Sequence, residues 1–192
     1  LACGNCVVLK GSEISPATHG LIIDALNEAG FPAGVVNFVT NAPQDAGTVV
    51  ETMIAHPAVR RVNFTGSTHV GRIIAQTCAR NLKPVVLELG GKAPLLVLHD
   101  ADIDLAVNCA AFGAFANSGQ ICMSTERIIV DERIADEFVA KFAAKATSLP
   151  CSDPRVGPTV LGSVVDVQTV SRCNDLIDDA LAKGAKLVAG GK

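Results

Sequence analysis

The chain has 192 residues, of which 49% are hydrophobic and 18% are charged, and its formal net charge is −3. This composition is typical of a folded globular protein and not of a disordered segment, and the lack of a Lys/Arg stripe argues against a nucleic-acid partner. No apolar run reaches membrane-spanning length and no signal peptide is recognisable, so we expect no membrane partner either.

Two cysteines, Cys3 and Cys6, open the chain next to the first predicted strand. Their spacing suits a redox pair or half of a zinc site, but no second pair or nearby histidine completes a tetrahedral site. We therefore expect no metal and interpret them as small residues that pack at the strand entry. The seven cysteines in total are an odd number without a disulfide spacing, which favours a reducing cytoplasm.

Strands and helices alternate through the first half of the chain. The predicted order is a strand at 5–9, a helix from Ser15-Pro16 to Gly30, a strand at 35–39, a helix at 44–55, a strand at 60–65, a helix at 68–80 and a strand at 84–89. The apolar face predicted for the first helix comprises Leu21, Ile22, Ala25, Leu26 and Ala29. Four strands with three helical crossovers indicate an α/β fold with an open, mostly parallel sheet covered on both faces.

A second region is predicted to begin near Gly90. Its elements are a strand at 94–98, a helix at 102–117 capped by Asp102, a cysteine-containing loop, a strand at 127–130, helices at 133–147 and 167–183, and a final strand at 186–190. The chain begins at Leu1 without a methionine and ends in a predicted turn. We therefore expect it to be a fragment of a longer protein.

The sequence FTGSTHVG, residues 64–71, joins a predicted strand to a predicted helix. Gly66 allows a close turn, Ser67 and Thr68 offer hydroxyl groups, and the free N–H groups of a helix start favour an anion such as a phosphate. This is not the GxGxxG fingerprint of dinucleotide-binding proteins, and Ser and Thr are also ordinary helix caps. Both interpretations remain open on these residues alone.

Two charged residues, Lys10 and Glu13, follow the first predicted strand. Ligands of open parallel sheets bind at the carboxyl ends of the strands, where a carboxylate can accept both hydroxyls of a ribose. A 2′-phosphate would meet the charge of Glu13, so a bound dinucleotide is expected to be NAD rather than NADP. The alternative is a pair of solvated charges at a strand end.

A carboxylate ends the apolar strand VVLEL, at Glu88. Poor hydration there would raise its pKa and suit a general base near neutral pH. The following Gly-Gly-Lys is not a phosphate-binding loop, because Ala93 stands where that motif has Ser or Thr.

The segment FANSGQICMSTE places Cys122 in a loop after Gly119. A thiol is the best nucleophile available near neutral pH, Gly119 permits a tight loop whose N–H groups face an oxyanion, and Ile121 and Met123 are expected to give dry walls. Any single cysteine among seven can equally be an inert one.

Together these segments resemble the aldehyde dehydrogenase superfamily from end to end. The matching segments are GNCVVLKGSE, FTGSTHVG, LELGGKAP and NSGQIC followed by STERIIV. The cysteine-flanking GQICMSTER is similar to salicylaldehyde, benzaldehyde and vanillin dehydrogenases, which implies an aromatic aldehyde as substrate. The family usually has proline where this chain has Gly11, which is expected to loosen that turn.

The resemblance implies a role for each matching position. Cys122 is the nucleophile and Glu88 the general base, while Lys10 and Glu13 hold the adenosine ribose of NAD. The remaining cofactor contacts come from Gly66, Ser67 and Gly71 at the pyrophosphate and from Leu89 at the nicotinamide. Residues 1–90 then form the C-terminal part of a Rossmann-type cofactor domain and residues 91–192 the N-terminal part of the catalytic domain. The longer protein is expected to be a homodimer or homotetramer.

The resemblance also implies that two family residues lie outside the chain, an oxyanion asparagine before Leu1 and a nicotinamide-ribose glutamate after Lys192. Loss of one oxyanion donor costs about 2.7–4 kcal/mol, so the isolated chain is expected to be inactive. Two alternatives remain at this point. One is a CoA-acylating relative, which needs no water-activating base, and the other is a non-catalytic structural or binding relative of the fold.

Overall fold

The computed structural model describes residues 1–191; Lys192 lies outside the described part. The chain divides into two compact units, Leu1–Glu88 and a second that begins at Leu89. Each unit consists of short strands joined by helices, as the alternating sequence pattern predicts. None of the helices within residues 1–191 combines the length and apolar content needed to cross a membrane.

The first unit contains the three crossover helices predicted from the sequence. Its elements are β1 Val7–Lys10, α1 Pro16–Glu28, β2 Val36–Val39, α2 Ala46–Ala55, β3 Val62–Gly66, α3 Thr68–Arg80 and β4 Val85–Leu89. Strand β1 lies parallel to β2, with Val7 opposite Val36 and Lys10 opposite Val39. Strand β3 pairs with β4, so the hydrogen bonds join the four strands of this unit as two pairs.

The predicted apolar face of α1 is wrong. Leu21 and Ile22 are 69% and 53% exposed, whereas Ile23, which lies outside the predicted face, is buried. Of the five predicted residues only Leu26 is half-buried. The helix packs on β2, and within residues 1–191 most of its apolar residues remain exposed.

The core of the first unit lies between α2, α3 and the β3–β4 pair. Ile54, Ile74 and Cys78 are buried there against half-buried residues of the two strands. Burial raises the pKa of the Cys78 thiol, which is consistent with an inert core cysteine. Cys3 and Cys6 are both exposed, so the expectation that they pack at the strand entry is wrong.

Gly11 is not the loose point that the missing proline predicted. Its backbone N–H donates to the carbonyl of Val39 at 2.8 Å and extends the β1–β2 pairing by one residue. Proline has no N–H and could not make this bond. Gly11 is also buried, and a Cβ atom there would lie 2.9 Å from the ring of Phe38.

The second unit repeats the alternation around a separate core. Its elements are β5 Ala93–Val97, α4 Ile103–Phe115, β6 Thr125–Val130, α5 Ala135–Ser148 and α6 Val167–Ala182. Strands β5 and β6 are parallel. Helix α4 begins as predicted, because the Asp102 carboxylate accepts the N–H of Leu105 at 3.0 Å. Val97, Val107, Ala110 and Phe138 form the buried core.

The final strand predicted at 186–190 is not formed in the described part of the chain. Residues 185–188 have no regular secondary structure, and Leu187 and Val188 are 52% and 59% exposed. An apolar run of this kind becomes a strand only where a neighbouring strand offers backbone hydrogen bonds, and within residues 1–191 none pairs with it. The local pattern alone therefore did not decide the outcome.

Candidate active site

Cys122 lies in an exposed turn between α4 and β6. The turn closes where the N–H of Ser124 donates to the carbonyl of Ile121 at 3.0 Å. Among the described residues the N–H groups of Cys122 and Met123 donate no hydrogen bond. An accessible thiol can attack a carbonyl carbon, and free N–H donors beside it can stabilise the resulting oxyanion.

The expected dry walls around the thiol are wrong for this chain. Ile121 and Met123 are 37% and 77% exposed. The side chain of the next residue, Ser124, is instead buried, and its hydroxyl oxygen has no hydrogen-bond partner among the described residues.

Three consecutive residues before the turn have left-handed backbone conformations. The φ angles are 52° at Asn117, 56° at Ser118 and 73° at Gly119. The tight loop predicted from Gly119 is thus confirmed, and a Cβ atom at this position would lie 3.1 Å from the carbonyl of Ala114. The same conformation is unfavourable for Asn117 and Ser118 and must be held by contacts with other residues.

Two side chains of this strained segment contact the loop at residues 162–165. The Ser118 hydroxyl accepts the N–H of Gly162 at 3.2 Å and lies 3.4 Å from its carbonyl. The Gln120 amide oxygen accepts the N–H of Val165 at 3.2 Å, and its amide nitrogen donates to the carbonyl of Asn117 at 3.2 Å. These contacts fix the segment that presents Cys122.

Replacement of Ser118 tests whether these contacts hold a strained backbone. Ser118→Ala removes both hydrogen bonds and retains the left-handed penalty, whereas Ser118→Gly removes the bonds and the penalty together. We expect the alanine variant to be less stable than the glycine variant by about 1 kcal/mol. Amide hydrogen exchange of residues 117–124 should be faster in the alanine variant; equal exchange in both would contradict the interpretation.

Glu88 lies in β4 and is exposed, so the expected poor hydration is wrong within this chain. The reason is the two-residue period of a strand. Val85, Leu87 and Leu89 are half-buried on one face, whereas Val86 and Glu88 lie on the opposite, exposed face. The Glu88 carboxylate is thus accessible to a water molecule.

Lys10 and Glu13 lie at the end of β1, where the sequence placed them, and they form an ion pair that was not predicted. The Lys10 ammonium donates a hydrogen bond to Glu13 Oε1, and the two side chains are 18% and 23% exposed. Asn41 follows β2 and donates from Nδ2 to the same oxygen at 3.0 Å. Because β1 and β2 are parallel, their carboxyl ends bring Asn41 to Glu13.

These donors hold Glu13 in its ionised form. Hydrogen bonds from the Lys10 ammonium, from a backbone N–H and from the Asn41 amide lower the pKa of Glu13 from 4.5 to about 2. A depressed pKa stabilises the folded state above pH 4.5, and this contribution is lost as the pH falls toward 2.

The pH dependence of stability should therefore change in Glu13→Gln. Between pH 4.5 and 2, the wild-type free energy of unfolding should fall by about 1–2 kcal/mol more than that of the variant, after allowance for solvent screening. Urea unfolding at several pH values measures the difference. Parallel pH profiles for the two proteins would show that Glu13 is not held ionised by its neighbours.

Gly66, Ser67 and Gly71 lie around the start of α3. Ser67 caps the helix, with its hydroxyl oxygen accepting the N–H of Val70 at 3.3 Å. The N–H groups of Thr68 and His69 have no acceptor among the described residues and suit an anion. At Gly66 a Cβ atom would lie 2.4 Å from the ring of Phe64, so packing as well as ligand access explains this glycine.

The structure brings some of the predicted site residues together. Lys10 contacts Glu13, and the glycines and serine share one helix start, whereas Glu88 ends the first unit and Cys122 belongs to the second. Sequence reasoning missed Asn41, Ser118 and Gln120 as supporting residues. Only Asn41 had a usable signal, a polar residue directly after the strand that follows Lys10 and Glu13. No cluster of three potential metal ligands occurs within residues 1–191.

Comparison with known proteins identifies the family. The sequence profile of the aldehyde dehydrogenase family matches residues 1–192. The chain is 63% identical over 192 residues to vanillin dehydrogenase of Pseudomonas fluorescens, which covers 100% of this chain and 40% of that protein. It matches a salicylaldehyde dehydrogenase of Pseudomonas putida G7 complexed with salicylaldehyde, with a TM-score of 0.96 and 54% identity over 98% of this chain and 39% of the other.

A third match is the betaine aldehyde dehydrogenase of Staphylococcus aureus in complex with NAD⁺, with a TM-score of 0.91 and 33% identity over 100% of this chain and 37% of the other. The chain thus spans about 40% of the length of the curated relatives that it matches. The predicted fold class, an α/β aldehyde dehydrogenase-like fold with an open, mostly parallel sheet of Rossmann type followed by part of an α/β catalytic domain, is confirmed by these neighbours. The chain belongs to the aldehyde dehydrogenase family.

Proposed function

We propose that this chain is part of an enzyme that oxidises an aromatic aldehyde to the carboxylic acid with NAD. The observation that carries the proposal is the accessible Cys122 thiol on a strained, fixed turn beside free N–H groups. The aromatic substrate class is supported by the similarity to vanillin and salicylaldehyde dehydrogenases. Residues 1–90 serve as cofactor domain and residues 91–192 as catalytic domain in this proposal.

Cys122 acts as the nucleophile. Its thiolate attacks the aldehyde carbon, the C–S bond forms, and the carbonyl oxygen becomes the oxyanion of a thiohemiacetal. The free N–H groups of Cys122 and Met123 are suited to donate to this oxyanion. Covalent capture fixes the aldehyde carbon for oxidation and prevents loss of the intermediate. Loss of the hydride from this carbon, to the acceptor that a bound cofactor would supply, leaves a thioester on Cys122.

Glu88 acts as the general base in the second half of the reaction. It removes a proton from a water molecule, whose oxygen attacks the thioester carbon. The C–S bond then breaks, the carboxylic acid leaves, and Cys122 returns to the thiolate. The exposed position of the Glu88 carboxylate on β4 supports access to water.

The residues of the first unit fit a nicotinamide dinucleotide. The side-chain donors Lys10 and Asn41 both bind Glu13 Oε1, and no other side chain among the described residues donates to Oε2, which suits ribose hydroxyls. The helix start at Ser67, with Gly66 and Gly71, offers free N–H groups to a pyrophosphate, and Leu89 is assigned to the nicotinamide by the family resemblance. When bound, the cofactor supplies the acceptor for the hydride that leaves the aldehyde carbon.

An enzyme expressed from the longer reading frame that contains this chain tests the proposal. Aromatic and aliphatic aldehydes should be compared with NAD and with NADP, by the absorbance of the reduced cofactor. We expect kcat/KM to be highest for an aromatic aldehyde with NAD. Preference for a short aliphatic aldehyde, or for NADP, would contradict the substrate class or the cofactor assignment, respectively. The molecular mass of the same preparation in solution reports whether the enzyme is a homodimer or homotetramer.

A further inference from the structure

Asn41 contacts Glu13, although Asn41 was not among the predicted cofactor-binding residues. Its Nδ2 atom donates to Glu13 Oε1 at 3.0 Å and to the carbonyl of Ala42 at 2.8 Å. The orientation of the amide is fixed by these two acceptors, because the flipped amide would place its oxygen against both. Asn41 Oδ1 is buried and has no partner among the described residues. A buried acceptor without a hydrogen bond lowers the stability of the folded state. The amide orientation that lets Nδ2 bind Glu13 leaves Asn41 Oδ1 without a partner and carries this cost.

Two donors converge on a single oxygen of Glu13. Lys10 and Asn41 both donate to Oε1, and Asn41 reaches it from the neighbouring strand end. Lys10 alone, on a flexible side chain three residues away, would allow the carboxylate to rotate and exchange its oxygens. The second donor comes from a short side chain after β2 and restricts that rotation. As a result, both side-chain donors hold Oε1, and no side chain among the described residues donates to Oε2.

We propose that Asn41 is a positioning residue for nucleotide selectivity, which orients Glu13 so that Oε2 accepts the ribose 2′-hydroxyl and opposes a 2′-phosphate. This inference rests on the proposed use of NAD. A carboxylate whose Oε1 is held by two side chains discriminates through geometry as well as charge. Its ionised state is secured by the same donors, which keep the pKa of Glu13 near 2.

The test measures binding to this 192-residue chain, so it does not depend on catalysis. The probes are adenosine 5′-monophosphate, which has a free 2′-hydroxyl, and adenosine 2′,5′-bisphosphate, which carries a 2′-phosphate. Their affinities are measured by ligand-observed NMR titration for the wild type, Asn41→Ala, Glu13→Ala and Asn37→Ala. Asn37 is the matched control, because its amide donates to the carbonyls of Val7 and Gly34 in the same strand pair and does not contact Glu13.

We expect the wild type to prefer the monophosphate, and Asn41→Ala to reduce this preference about three- to tenfold, the effect of one ordinary hydrogen bond. Asn37→Ala should leave the ratio unchanged even if it lowers stability, which separates positioning from a structural role. If Glu13→Ala loses the preference and Asn41→Ala keeps it, the positioning role of Asn41 is overturned and the cofactor assignment stands. No binding of the monophosphate, or no effect of Glu13→Ala, would overturn the cofactor assignment together with it.

Discussion

Cys122→Ser is expected to abolish aldehyde oxidation by the longer enzyme, with a loss in kcat of at least about a thousandfold. A serine hydroxyl stays protonated near neutral pH and is a far weaker nucleophile than a thiolate, so the covalent intermediate cannot form at a useful rate. Steady-state assays with a saturating aromatic aldehyde and NAD measure the loss. Mass spectrometry should at the same time show no acyl adduct on the variant.

Cys173→Ser is the matched control, because Cys173 is another exposed cysteine of the second unit. Its replacement should leave kcat within about twofold of the wild type, since exposed surface substitutions have small effects. Retention of activity in Cys122→Ser would show that the Cys122 thiol is not needed for the reaction and would contradict its assignment as the nucleophile.

Glu88→Gln is expected to slow hydrolysis of the acyl-enzyme by about a hundred- to ten-thousandfold, the usual contribution of a general base. Glutamine keeps the size of the side chain and cannot remove the proton from water. Oxidation of the aldehyde should still occur once per active site. The variant should therefore show a burst of reduced cofactor that equals the enzyme concentration, followed by slow turnover with the acyl group on Cys122.

The same variant distinguishes hydrolysis from acyl transfer to CoA. A CoA-acylating enzyme needs no water-activating base, so its CoA-dependent turnover would be nearly unchanged in Glu88→Gln. Glu51→Gln, which neutralises another exposed carboxylate of the first unit, is the control and should behave as wild type. An unchanged rate of acyl-enzyme hydrolysis in Glu88→Gln would contradict the role of Glu88 as the general base.

Residues close in sequence carried most of the correct predictions about the fold. The cap at Asp102, the alternation of strands and helices, and the tight loop at Gly119 depend on interactions over three or four residues. Such interactions are visible in the order of residue types. The contact of Lys10 with Glu13 is equally local, three positions apart, but it was not predicted.

Predictions that depended on distant neighbours failed. The face of α1, the final strand at 186–190, and the hydration of Glu88 and of the residues beside Cys122 all depend on which other segments cover them. An apolar residue is buried only where a second element supplies the partner surface, and a strand forms only beside another strand. Periodicity does not specify that partner.

By itself the sequence determined the family, the element order, and the nucleophile and base proposed for the reaction, because short motifs carry the chemistry. The tertiary structure alone decided that Asn41 reaches Glu13 from the next strand and that Ser118 and Gln120 hold the cysteine turn to residues 162–165. Those contacts join residues 28 to 45 positions apart. Hydrogen-bond partners at such separations are set by strand pairing and loop packing and have no signature in local sequence.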